Sequence, residues 1–190
     1  MQIMNDSSRY GSVSQWLHWT TVALVIVLLV MGNAFEIETD EPGSALFFWH
    51  GSLGMLVFIL AAARVGWLFF SRPPALPQNT SRLFRVLARG THIALYALLF
   101  ALPLSGWLDA SSEGAGAPFF GLATVPAWRG SPQTLKELHE VLANALLVLA
   151  SLHVLAALKH HFVNHDDILR RMLPRSRAGS HPSAREQELT

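Results

Sequence analysis

Four long stretches of the chain contain no Asp, Glu, Lys or Arg: residues 10–35, 42–63, 90–108 and 141–158. Each is mostly apolar and long enough to cross a bilayer as a helix, which takes about 20 residues. The pattern predicts spanning helices over residues 14–33, 44–70, 87–108 and 133–161. Arg72-Pro73-Pro74 ends the second, because proline cannot continue a helix. Pro103 lies inside the third and is expected to kink it near one end. The connection over 109–131 is rich in Gly, Ala and Pro, yet it holds Phe119, Phe120, Leu122, Val125 and Trp128. A freely solvated loop would not be so apolar, so it is expected to lie at the interface and cap whatever is bound beneath it. The fold class is therefore all-α: an integral membrane four-helix bundle over residues 1–175, followed by a polar, disordered tail over 176–190. No internal repeat is visible.

Composition sharpens this picture. Charged residues make up 14% of the 190, against about 25% in soluble domains. The absence of cysteine excludes disulfides, iron–sulfur clusters and thiolate zinc sites. A net charge of +1 gives no case for nucleic-acid binding. The first apolar segment is too long for a signal-peptide core, and only Arg9 supplies a basic flank. It is read as a retained span. Arg72, Arg82, Arg85 and Arg89 cluster between the second and third segments, and Lys159, Arg170, Arg171, Arg175 and Arg177 follow the fourth. By the positive-inside rule these clusters put both termini in the cytoplasm. The first connection, with Glu36, Glu38, Asp40 and Glu41, then faces outward with the long third one.

Of the nine histidines, His18, His50, His139 and His153 lie in the predicted spanning helices at depths that pair up. An imidazole there is costly and marks a function more often than not. His139 and His153 are fourteen residues apart on one helix. That is just under four turns, so both share a face, with a rise of about 21 Å between them. His18 enters from the inner side and His50 from the outer. Depth pairs His50 with His139 and His18 with His153. Two stacked bis-histidine sites favour haem b, since two axial imidazoles saturate the iron and leave an electron-transfer centre. Zinc would want four ligands at each site. No CxxCH is present, so the two haems would be held non-covalently. Gly51, Gly54 and Gly106 leave room for a flat ring or a close helix contact. The opposing reading is that the histidines hydrogen-bond neighbouring helices or line an ion path.

Particular motifs carry a resemblance. They are Arg9-Tyr10-Gly11 with Gln15-Trp16-Leu17-His18-Trp19, Trp49-His50-Gly51-Ser52-Leu53-Gly54, and Ala101-Leu102-Pro103-Leu104-Ser105-Gly106. Leu138-His139-Glu140, Ala143-Asn144, Leu152-His153, His160-His161-Phe162 and the closing Leu169-Arg170-Arg171-Met172-Leu173-Pro174-Arg175 continue it. From residue 9 to 175 the chain resembles the bacterial cytochrome b561 family. The resemblance implies a four-helix bundle in the bacterial inner membrane with two haem b groups on His18, His50, His139 and His153. It also implies a reaction, in which superoxide is oxidised to dioxygen at the outer face and ubiquinone is reduced near the inner one. The wider family includes haem subunits that link a dehydrogenase or hydrogenase partner to the quinone pool, which is the alternative.

On the first reading, Lys136 and Arg129 steer superoxide or contact a haem propionate; otherwise they are solvated loop charges. The acidic first connection would oppose that steering. His160 or His161 hydrogen-bonds a quinone and supplies a proton, or both simply complement the helix dipole. Arg64 pairs with a haem propionate or snorkels to the headgroups. His92 has no partner left at its depth and is read as a structural hydrogen-bonder rather than part of a quinone pocket.

Overall fold

The computed structural model describes residues 2–34, 44–75, 81–112, 117–125 and 132–174. Its helices are α1 (Ser12–Ala34), α2 (Ala45–Phe70), α3 (Arg82–Ser112), α4 (Pro132–Phe162) and a short α5 (Ile168–Met172). The first four are long and apolar enough to span a membrane. They form an integral membrane bundle in which α1 packs on α2, α2 on α3, and α3 on α4.

The helix starts follow local chemistry. The Ser44 hydroxyl accepts the Phe47 N–H and caps α2. The Ser81 hydroxyl accepts the Phe84 N–H at 3.3 Å and caps α3. That cap explains why α3 begins at Arg82, earlier than the apolar pattern alone indicated. Arg82 and Arg85 therefore sit on its first turn rather than in a loop. Pro103 lies within α3, which runs on past it to Ser112.

The connection before α4 contains a structure that the sequence did not foretell. Strands β1 (Ala117–Phe119) and β2 (Ala123–Val125) form an antiparallel hairpin. Its turn places Phe120 at φ 50° and Gly121 at φ 71°. Gly121 adopts that region without cost. Phe120 is anchored there, because its N–H donates to the hydroxyl of fully buried Ser52 at 3.0 Å. The Trp49 and Phe120 rings meet edge-to-face, with centroids 6.1 Å apart. The hairpin is thus docked on α2 within a turn of His50, which agrees with a loop that caps the bundle.

The opposite end carries both terminal segments. Arg9 Nη2 donates to the carbonyls of Arg170 and Leu173. The Tyr10 N–H and Gln15 Nε2 donate to Arg171, and Trp19 Nε1 to Met172. The carbonyls at the end of α5, orphaned by helix geometry, are therefore satisfied by the start of the chain. Asn5 joins the same knot, its N–H donating to Ser71 Oγ and its Nδ2 to the Ser71 carbonyl.

A small apolar core of Val57, Ala61 and Leu99, flanked by Leu24, Val25, Leu28 and Phe100, lies mid-bundle. Few other large apolar side chains are buried. Val141, Val148, Leu152, Val154 and Leu155 of α4 are all exposed, which suits a helix whose outer face meets lipid.

Candidate functional site

At the hairpin end the four helices enclose a cavity of about 410 Å³. That is within the usual range for cofactor and ligand sites. It is lined by His50, Gly51 and Gly54 of α2, by Pro103 and Gly106 of α3, and by His139 and Asn144 of α4. The His50 and His139 rings stand 6.2 Å apart, centroid to centroid. A metal held by two imidazoles at roughly 2.0–2.1 Å from each nitrogen requires ring centroids roughly 6 Å apart. The pair is therefore spaced to share one iron.

The ring of His139 is oriented by α3. Its Nδ1 lies 3.0 Å from Ser105 Oγ. That hydroxyl already donates its one proton to the Leu102 carbonyl at 2.8 Å, so toward His139 it can only accept. Nδ1 then carries the imidazole proton and Nε2 keeps its lone pair, the form a metal ligand needs. Gly106 lies against the same ring, where a Cβ would stand 2.9 Å from His139 Cε1. Nothing larger than glycine fits without moving the imidazole.

The second cluster lies toward the terminal end. His18 of α1, Arg64 of α2, His92 of α3 and His153 of α4 are within electrostatic reach of one another. The His92 and His153 rings meet edge-to-face, with centroids 5.3 Å apart. His18 Nδ1 is buried and has no hydrogen-bond partner among the described residues. A buried polar atom left without a partner costs about 1–3 kcal/mol, a cost that a group bonded to that nitrogen would offset. Arg64 lies over the Tyr96 ring at 5.4 Å. Its charge also reaches Tyr10, whose phenol is raised above its ordinary value by burial, with Arg64 acting against that rise. The described residues thus fit an imidazole-bound group at the hairpin end, and a cluster of three histidines and one arginine lies toward the other.

The remaining candidates separate. Lys136, Asp109 and Glu140 all line the hairpin-end cavity, so its rim carries both signs of charge. Arg129, Trp128, the acidic residues of the first connection and the tail over 176–190 lie outside the described residues. Near the end of α4, His160 Nδ1 is 2.5 Å from Asp166 Oδ2. The ring of its neighbour His161 meets Phe162 edge-to-face instead. Sequence reasoning missed Ser105, Asp166 and the His92–His153 contact. Ser105 was legible only as a member of the motif Ala101-Leu102-Pro103-Leu104-Ser105-Gly106, with no role attached to it.

Comparison with known proteins follows the same lines. Residues 9–175 match the family model described as prokaryotic cytochrome b561. Cytochrome b561 homolog 2 of Escherichia coli (strain K12) is 34% identical over 187 residues, covering 93% of this chain and 97% of the relative. The probable superoxide oxidase CybB of Yersinia pestis is 31% identical over 175 residues, covering 89% and 98%. Cytochrome b562 of Cereibacter sphaeroides is 27% identical over 176 residues, covering 90% and 98%.

Proposed function

The chain belongs to the prokaryotic cytochrome b561 family and is a bacterial membrane electron-transfer protein that binds haem b; from that premise we propose that it holds two haem b groups and oxidises superoxide at one face while reducing ubiquinone near the other. The observation that carries the haem assignment is the 6.2 Å separation of the His50 and His139 rings. His50 and His139 hold one group, His18 and His153 the other. When bound, haem b supplies one-electron transfer at its iron. The basic clusters support an orientation with both termini in the cytoplasm and the hairpin toward the periplasm of the inner membrane.

Two superoxide anions each give up one electron and leave as dioxygen. Those two electrons, with two protons, convert ubiquinone to ubiquinol. Lys136 lines the hairpin-end cavity, and a cation there raises the local concentration of a small anion. Arg129 adds to that attraction from the preceding segment. The name of the Yersinia pestis relative supports superoxide as donor. At the other end His160 is the better of the two proton donors, because Asp166 holds its Nδ1. The carboxylate orients the ring, so Nε2 is the nitrogen left to exchange a proton with a quinone oxygen. Arg64 supplies a fixed positive charge beside His18 and His153, suited to a haem propionate.

Asp109 and Glu140 on the Lys136 rim favour a second reading. Their charge repels an anion and suits a protein donor with a basic face, so the chain would be the quinone-linked subunit of a dehydrogenase or hydrogenase. Rapid mixing of the purified, oxidised protein with superoxide separates the two. A reduced b-type band that grows quickly and is abolished by superoxide dismutase is the result expected. A band that appears only with a chemical reductant overturns superoxide as donor, and absence of any haem band overturns the cofactor assignment.

A further inference from the structure

We propose that His92 is a positioning residue that sets the ring plane of His153. The inference rests on the haem reading above and adds a residue to it. The two rings meet edge-to-face with centroids 5.3 Å apart and planes at 75°. Turning the His153 imidazole about its Cβ–Cγ bond drives it into His92, so the contact selects one plane. His92 is itself held, because its Nδ1 lies 2.8 Å from the Ala88 carbonyl oxygen. A carbonyl only accepts, so Nδ1 donates and the ring is pinned to its own helix.

The two ends of the bundle are built alike in this respect. On α4 the proposed ligands His139 and His153 are fourteen residues apart, and on α3 Ser105 and His92 are thirteen apart. Ser105 touches the first and His92 the second. One helix therefore braces both imidazoles of its neighbour, by a hydroxyl at one end and by an aromatic edge at the other. Such outer contacts fix the orientation of a metal-bound histidine. The plane of an axial imidazole in turn sets the g-values of a low-spin ferric haem.

The test is electron paramagnetic resonance of the full-length, haem-loaded protein, comparing the wild type with His92→Phe and His92→Gln. Phenylalanine keeps the ring contact and loses every hydrogen bond. Glutamine does the reverse. The wild type is expected to show two low-spin signals, one of which is lost in His139→Ala. In the other, the largest g-value should shift in His92→Gln and stay in place in His92→Phe. A signal unmoved by both substitutions overturns the proposal, as does one moved by phenylalanine and preserved by glutamine. If the wild-type protein carries no haem, the underlying cofactor reading fails, an outcome distinct from either pattern.

Discussion

Gly106 lies against the imidazole of His139 so closely that a methyl group at its Cα would stand 2.9 Å from Cε1 and 3.1 Å from Nδ1. The ring would have to shift, and with it the atom proposed to bind iron. Gly106→Ala is therefore expected to weaken haem retention at the hairpin end and to destabilise the loaded protein by about 1–3 kcal/mol, the usual cost of overpacking. Haem content by pyridine haemochrome and the thermal midpoint report the two effects. A fully loaded variant of wild-type stability would show that the imidazole has room to move.

His139→Ala tests the pairing itself. It should reduce haem from two per chain to one, and His18→Ala should remove the other. Low-temperature spectra of each variant would then show a different surviving centre. Two haems in either variant would contradict the ligand assignment.

The apolar stretches were enough to locate four spans and four histidines, because burial in lipid leaves a pattern in composition. The proximity of His50 to His139, whose rings stand 6.2 Å apart, was legible from depth alone. The supports around those rings were not. Ser105, His92 and Asp166 act through contacts between helices or across a turn, and a helical sequence shows which residues share a face but not which neighbour that face meets. His92 was read as a structural hydrogen-bonder. It is one, through Ala88, but its ring also lies on His153. The hairpin was hidden because strands of three residues leave no alternation to read.

The hairpin's attachment can be weakened separately. Ser52→Ala removes the acceptor of the Phe120 N–H, leaving an amide whose lost bond costs about 1–3 kcal/mol. Exchange of the hairpin amides should then accelerate roughly fivefold or more, while the helices keep their protection. Unchanged exchange across residues 117–125 would show that the Trp49 contact alone holds the hairpin.

Lys136→Gln should slow reduction by superoxide at low ionic strength and flatten its salt dependence, since charge steering is what salt screens. Stopped-flow rates at several salt concentrations measure both. Wild-type rates at every concentration would remove Lys136 from the donor site.

Acid should loosen the start of the chain. The Ser8 hydroxyl, the Ser8 N–H and the Arg9 N–H all donate to the Asp6 carboxylate. They hold its pKa below the ordinary 3.8, the Ser8 hydroxyl most of all. A depressed value in the folded state means that the carboxylate's contribution is complete above 3.8 and is lost as pH falls through the lower, folded value. The amide shifts of Ser8 and Arg9 in an NMR titration should stay level at neutral pH and move only below about 4. Movement centred at or above the ordinary value would refute the assignment, and Asp6→Asn should abolish the transition.

The hydrogen bonds from Arg9, Gln15 and Trp19 to the end of α5 have a consequence in time. Arg9 and its acceptor Arg170 are 161 residues apart. At a synthesis rate of about 5–20 residues per second, the donors wait roughly 10–30 seconds for their acceptors to emerge. During that interval α2, α3 and α4 are themselves being made, and the terminal end stays unlatched throughout. The His18–His153 end is thus the last part of the molecule to shut, and the cofactor proposed for it has an entrance until α5 emerges.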